Sequence, residues 1–231
     1  MKRTSQAGNA LFLILIAVAL FAALSYAVTQ SGRGSSSIDR EQTSLNTTQI
    51  IQYAGLIEQE VQRMQMISGC SDTEVSFEND RNSRDFNRSP AADRSCELFV
   101  SEGGNIAYNP PFGGDDDMSF TSRFCIKGVG TDVASNCVTD ERELLFITFG
   151  MDDAFCKEIN RRLGLDNAVD PLPEFDMVTY AFTGDYSAGI NPRLGSTASS
   201  SVLTGERTAC LKDDGGSMSG TNFFYHVLIA R

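Results

Sequence analysis

The chain has 231 residues and a formal net charge of −11, with 30 acidic residues against 19 Lys and Arg. This length allows one domain with a sizeable core beyond a short N-terminal segment. The acidic balance argues against binding nucleic acid or anionic lipid through a basic patch.

An uncharged apolar segment lies near the N-terminus. Lys2 and Arg3 are followed by 19 residues without a charge, from Ala10 to Val28. A helix of about this length crosses the roughly 30 Å hydrocarbon core of a bilayer. The preceding basic residues favour a cytoplasmic N-terminus and export of the rest of the chain. We therefore predict a transmembrane or stem helix over residues 9–28.

Three fates fit this segment. It is a retained single-pass anchor, a secretory signal, or an assembly stem. Ser25 and Ala27 place small residues where a signal peptidase reads, so a secretory signal would be cut after Ala27.

The third fate follows from a resemblance. A short basic leader that ends in Gly8 and leads directly into an apolar helix resembles the class III signal of type IV pilins and type II secretion pseudopilins. The resemblance implies a leader over residues 1–8, cleavage between Gly8 and Asn9, and assembly with like or related subunits through the N-terminal helix. Most members carry Glu at the fifth residue after the cut, where this chain has Leu13. That departure indicates a minor or divergent subunit.

A hinge and a second helix follow. Two glycines and a run of serines predict a hinge over residues 29–37, with an exported head domain over 38–231. Ser37 is a suitable N-cap for a helix that reaches Ser68 and ends at Gly69. An apolar stripe on this helix predicts that one face packs on the protein's own sheet; it consists of Ile50, Ala54, Ile57, Val61, Met64 and Ser68.

The cysteines all follow the apolar segment. Their even number in an exported domain, without a CxxC pair or zinc-like spacing, indicates disulfides rather than metal or redox chemistry. Six cysteines allow 15 pairings, and the sequence does not choose among them. We expect the simplest arrangement, which is sequential: Cys70 with Cys96, Cys125 with Cys137, and Cys156 with Cys210.

The rest of the chain alternates β-rich runs with turns. We predict strands over residues 73–77, 96–100, 120–126, 144–148, 177–183, 208–212 and 222–230. The last two form a hairpin, and the final strand is apolar on both faces, which is typical of an interior strand. The fold class is therefore α+β: an N-terminal hydrophobic helix and an amphipathic helix packed on an antiparallel, disulfide-braced sheet.

A third helix is predicted from Met151 to Leu163, since Asp152 and Asp153 suit its first turn and Gly164 its end. The apolar run 144–150, followed by this Cys-bearing helix, also resembles the later part of type IVb-like pilins. In those pilins a disulfide closes the C-terminal region.

Catalytic motifs are absent from the sequence. His226 is the only histidine, which leaves most zinc sites and a Ser-His-Asp triad without support, so we interpret it as a partly buried structural residue. Three successive aspartates, Asp115, Asp116 and Asp117, offer oxygens to calcium, although an ordinary acidic turn is the simpler interpretation and no other cofactor is expected.

These observations predict a non-catalytic, pilin-like subunit of a cell-surface filament or secretion pseudopilus. It would sit in the inner membrane with its C-terminal domain in the periplasm, or in an extracellular filament. The alternative is a periplasmic binding domain that is secreted or held by a single-pass anchor, and an unrecognised hydrolase is the third hypothesis.

Overall fold

The structure is a computed structural model that describes residues 7–31, 35–79, 91–110, 118–131, 137, 142–176, 181–186, 193–215 and 220–231. Side chains are described for residues 11–26 and from residue 41 onward within these ranges. The chain divides into two compact units, Met1–Leu45 and Asn46–Arg231. The first contains one complete helix and the start of a second, and the other unit contains the remaining elements.

Helix α1 covers Ala7–Ser31. No Gly or Pro interrupts the sequence between Asn9 and Ser31, and the Ala and Leu residues there favour helix. Among the residues that the structure describes, no helix is both long and apolar enough to span a membrane.

Helix α2 covers Ser35–Arg63 and is followed by a π-helical turn, Met64–Ser68. Of the predicted hinge, residues 29–31 belong to α1 and 35–37 to α2, and residues 32–34 lie outside the described ranges. Gly69 ends the helical segment as predicted: its φ of 72° is left-handed, and its N–H donates to the Met64 carbonyl.

A six-stranded sheet forms the centre of the larger unit. In chain order the strands are β1 (Met118–Ile126), β2 (Glu143–Met151), β3 (Glu174–Phe175), β4 (Arg193–Leu194), β5 (Thr208–Asp213) and β6 (Asn222–Ile229). Their spatial order is β3-β5-β6-β2-β1-β4. The predicted hairpin of β5 and β6 is confirmed, and β6 is an interior strand between β5 and β2.

The sheet is mixed, which corrects the predicted antiparallel sheet. The long strands pair antiparallel, but β3 runs parallel to β5 and β4 parallel to β1. The two short strands come from segments that Pro and Gly interrupt, so each joins an outer strand over only two residue pairs. The structure is α+β with a mixed sheet and three disulfides, as predicted at the level of class.

Side chains alternate across the sheet into two apolar cores. On β2, Leu144 and Phe146 join one core while Leu145 and Ile147 join the other. This period of two is the geometry of an extended strand buried on both faces. The predicted stripe of α2 is confirmed, except at the exposed Ser68, because its other members are fully buried in the first core: Ile50, Ala54, Ile57, Val61 and Met64.

Helix α3 covers Asp153–Arg162 and packs into the same core as α2. Asp152 is its N-cap, since the Asp152 carboxylate accepts a hydrogen bond of 2.7 Å from the Phe155 N–H. Arg161 and Arg162 lie in its last turn, and Gly164 follows with a φ of 77°. Both predicted end signals are therefore confirmed.

Three predicted strands are not found as predicted. Residues 73–77 and 96–100 form a single parallel bridge, Ser76 with Glu97, within turns joined by a disulfide. Of the predicted strand 177–183, residues 177–180 lie outside the described ranges and residues 181–183 are irregular. The strand nearest to this segment in sequence is β3, which covers two residues.

Candidate functional site

The described surface of α1 is exposed and uncharged. Every side chain from Leu11 to Tyr26 is exposed, and the exposed fraction of Phe21 is 73%. Leu13, at the position where the pilin-like pattern has Glu, is 60% exposed. Soluble monomers rarely expose large contiguous apolar patches, and such patches are typical of surfaces that contact another protein or a membrane.

The predicted processing site falls at the start of this helix. Gly8 and Asn9 are the second and third residues of α1, which begins at Ala7. The predicted leader extends from there to residue 1, and its residues 1–6 lie outside the described ranges. The structure therefore places the predicted cut within helical backbone.

A polar cluster connects α2 to the sheet within the larger unit. His226 on β6 contacts Glu58 on α2, with 2.9 Å between Nε2 and a carboxylate oxygen, Oε2. The other imidazole nitrogen, Nδ1, lies 2.6 Å from the hydroxyl oxygen of Thr208. Arg207 donates to the second carboxylate oxygen of Glu58 at 2.6 Å. One carboxylate thus serves an imidazole and a guanidinium at the same time.

The sequence brings these groups together through strand register. Thr208 on β5 lies directly opposite His226 on β6 in the antiparallel pair. Glu58 lies on α2 next to the buried residue Ile57, so it reaches the sheet at the border of the apolar contact. Gln62, one turn later on α2, donates to Glu58 at 3.2 Å.

The partners of His226 determine its tautomer. The Glu58 carboxylate is an acceptor, so Nε2 carries the proton and donates to it. Nδ1 is then an acceptor, and the Thr208 hydroxyl donates to it. The side chain of His226 is only 12% exposed. Burial lowers the pKa of His226 below its usual value of 6.5, which outweighs the opposing effect of Glu58, and Arg207 lowers it further.

The order hydroxyl, imidazole, carboxylate is that of a catalytic triad, but the surroundings favour a structural cluster. Both imidazole nitrogens have partners, as they would in a triad, so access to a cleft is what separates the two interpretations. The two clefts described below have neither Thr208 nor His226 in their walls. The predicted partial burial of His226 is confirmed, and its purely structural role stays a prediction.

Two clefts lie elsewhere on the larger unit. The first, of about 510 Å³, has Phe99 and Tyr108 in its wall, with Glu78, Arg94 and Glu102. The second, of about 350 Å³, lies on the outer side of α2. Its wall contains Tyr53, whose hydroxyl donates to the Ala107 carbonyl at 3.1 Å. Burial raises the pKa of Tyr53 to about 12.

The predicted disulfides are confirmed in all three pairs. Cys70 is bonded to Cys96, Cys125 to Cys137, and Cys156 to Cys210. The first lies directly after the π-helical turn, and the third joins α3 to β5. They fasten both helices of the first core to the body of the larger unit.

The candidate calcium ligands Asp115, Asp116 and Asp117 lie outside the described residues. Among the described residues, no group of three or more His, Cys, Asp or Glu side chains is arranged to hold a metal ion.

Sequence reasoning identified His226 but missed its partners. Glu58, Arg207 and Thr208 carry no sequence signal of their own that marks them as partners of His226. One signal was available: the predicted hairpin places a hydroxyl residue opposite the only histidine once its register is known.

Comparison with known protein families, curated proteins and solved structures found no match.

Proposed function

We propose that this protein is a pilin-like structural subunit, minor or divergent in type, of a cell-surface filament or a secretion pseudopilus. It acts by packing and not by catalysis. The observation that carries the proposal is the exposed, uncharged surface of α1 over residues 11–26. The leader that ends at Gly8 supports it by resemblance.

An apolar helix surface of this size is costly to leave in water. Each Å² of apolar surface removed from water contributes about 25 cal/mol, so covering several Leu, Ile and Phe side chains is strongly favourable. Before assembly, the hydrocarbon core of the inner membrane would cover the helix. In a filament, the stems of like or related subunits would cover it.

The larger unit suits display outside the cytoplasm. Its three disulfides are typical of proteins that fold in an oxidising compartment such as the periplasm. Its described part has the fully buried stripe of α2 packed on one face of the sheet. This arrangement supports a rigid head that follows the N-terminal stem in the chain.

Leu13 defines how such a stem would assemble. Without a carboxylate at this position, no buried ion pair with the N-terminus of a neighbouring subunit sets the register. Packing of apolar side chains alone would then set it. Register set by apolar packing alone suits a subunit that is present in few copies. The position of such a subunit in the filament depends on contacts with other kinds of subunit and not on a repeated contact between identical ones.

The N-terminus of the mature protein tests the processing step. We expect Edman sequencing or mass spectrometry of the full chain, expressed in cells with a prepilin peptidase, to find Asn9 as the first residue. Gly8→Val should leave the leader in place, because the cut lies between Gly8 and Asn9. Wild-type protein with an intact Met1 in the membrane would refute the proposal.

Assembly is tested by a polar substitution on the stem. Phe21→Ser removes an aromatic side chain that is 73% exposed on α1, and Val202→Ser is a matched control at an exposed apolar position on the other unit. We expect the Phe21→Ser protein to reach the membrane. It should no longer form multimers that chemical crosslinking detects, and it should be missing from the material that shearing releases from the cell surface. Val202→Ser should retain both. Equal assembly of the two variants would contradict a stem role.

The first cleft favours a second candidate function, an anchored or secreted periplasmic binding domain. A concave site of about 510 Å³ with two aromatic side chains in its wall is of a size that binds small molecules. N-terminal sequencing separates the candidates. The mature chain would begin at Met1 if the helix is a retained anchor and at Val28 if the signal is cut after Ala27.

A further inference from the structure

The polar cluster of Glu58, Arg207, Thr208 and His226 is the starting point of this inference. It joins three elements: Glu58 lies on α2, Thr208 is the first residue of β5, and His226 lies on β6. Arg207 directly precedes β5. On the remaining side, β2 places the apolar Phe146 opposite His226. Among the residues that the structure describes, the charged groups that act on the imidazole are Glu58 and Arg207.

We propose that this cluster is a pH-sensitive latch, which holds α2 on the sheet while His226 is neutral and weakens when His226 takes up a second proton. The inference concerns the larger unit alone and goes beyond the assembly role proposed above.

The hydrogen bonds satisfy both nitrogens of the neutral imidazole. In that state Nε2–H donates to Glu58 and Nδ1 accepts from the Thr208 hydroxyl, so each nitrogen has a suitable partner. A second proton on Nδ1 would make that nitrogen a donor. The Thr208 hydroxyl would then have to rotate and accept, and it would lose its role as donor.

Burial and Arg207 disfavour the imidazolium, and together they outweigh the opposing effect of Glu58. The Glu58 carboxylate already binds Arg207 at 2.6 Å through its other oxygen. An imidazolium would place a second cation on the same carboxylate, at a side chain that is only 12% exposed. One negative charge would then neutralise two positive charges with little water to help.

The direction of the pH effect follows from linkage. The pKa of His226 is lowered in the folded chain, so below about pH 6.5 the unfolded chain binds a proton that the folded chain does not. Stability contributed by the neutral imidazole is complete above that pH. It is lost as the pH falls from about 6.5 towards the lowered pKa.

The chain is well suited to a clean test, because His226 is its only histidine. The described carboxylates with lowered pKa values titrate near or below their usual values of 3.8 to 4.5, outside a window from pH 5.5 to 7.5. A protein labelled with ¹³C at histidine Cε1 gives a single resonance, whose titration reports the pKa of His226 directly.

We expect the full chain to give a pKa for His226 below 6.5. Glu58→Gln should lower this pKa further, because it removes the carboxylate that favours the cation. Arg207→Gln should raise it, because it removes a nearby cation. A wild-type pKa of 6.5 or above, or shifts of the same sign in the two variants, would overturn the proposal.

Stability and local opening provide the second readout. Between pH 7.5 and 5.5 the thermal midpoint of the wild type should fall, by about 3 °C for a lowering of one pKa unit. His226→Gln should show no such fall. Hydrogen exchange of the α2 amides, corrected for its intrinsic pH dependence, should be faster at pH 5.5 than at pH 7.5 in the wild type. In His226→Gln it should not change between these two pH values. Equal pH responses of wild type and variant in both measurements would refute the latch.

Discussion

Asn160 on α3 holds the backbone of Cys210 on β5 at two atoms: its amide oxygen accepts from the Cys210 N–H, and its amide nitrogen donates to the Cys210 carbonyl, each at 2.8 Å. The same amide nitrogen also donates to the Ala168 carbonyl at 2.6 Å. Cys210 is bonded to Cys156 of the same helix. One residue of β5 is therefore tied to α3 by a disulfide and by a fully buried side-chain amide.

The first prediction concerns this amide. Asn160→Ala should lower the free energy of unfolding by about 1–3 kcal/mol, because it leaves buried backbone groups of Cys210 and Ala168 without partners. Urea unfolding at pH 7.5 measures the loss. Asn160→Asp keeps an acceptor for the Cys210 N–H but has no donor for the two carbonyls, so it should also be destabilised. A change under 0.5 kcal/mol in both variants would show that water replaces the amide.

The second prediction ranks two disulfides by the length of the loop that each closes. Cys156 and Cys210 are separated by 54 residues, and Cys125 and Cys137 by 12. A disulfide that closes a longer loop removes more entropy from the unfolded chain. Replacing Cys156 and Cys210 by Ser should therefore lower the free energy of unfolding by about 1 kcal/mol more than replacing Cys125 and Cys137. Denaturant unfolding of the two double variants tests this order. The reverse order would mean that native contacts, and not loop closure, dominate.

Much of the fold could be predicted because local patterns determined it. The stripe at Ile50, Ala54 and Ile57 has a helical period, so it indicated the buried face of α2 directly. The β-rich runs likewise predicted the strands β1, β2 and β6, and the two apolar faces of the last one predicted its interior position. In each case, a residue's surroundings follow from neighbours a few positions away in sequence.

The remainder depended on contacts between distant segments. β3 pairs with β5 in parallel over only two residue pairs, Glu174 with Lys212 and Phe175 with Asp213. A strand of two residues is too short to produce an alternating pattern in the sequence, so it could not be predicted. The polar cluster needs Glu58 and His226, which are 168 residues apart, to meet. Such a meeting depends on how α2 docks on the sheet, and a single sequence does not encode that docking in any local pattern.

The third prediction tests that docking with two adjacent residues. Ile57 is fully buried in the first core, whereas Leu56 is 48% exposed on the other side of α2. Ile57→Ala should cost about 2–5 kcal/mol, because it removes buried methylene groups and leaves a cavity. Leu56→Ala should change the stability by no more than about 0.5 kcal/mol. Urea unfolding of the two variants decides, and similar losses at both positions would contradict the observed orientation of α2.

The last prediction concerns a glycine that the backbone requires. Gly130 has a φ of 65°, and a Cβ built there would lie 2.0 Å from the carbonyl oxygen of Arg231. Gly164 has a similar φ of 77°, but a Cβ there meets nothing within 4 Å. Gly164→Ala should therefore cost only the left-handed strain of about 1–2 kcal/mol. Gly130→Ala should cost more, because the backbone that carries Arg231 must also move, and that movement would disturb the 3.0 Å ion pair between Arg231 and Asp72. Thermal unfolding of both variants measures the difference, and an equal loss of stability would show that this close approach relaxes without cost.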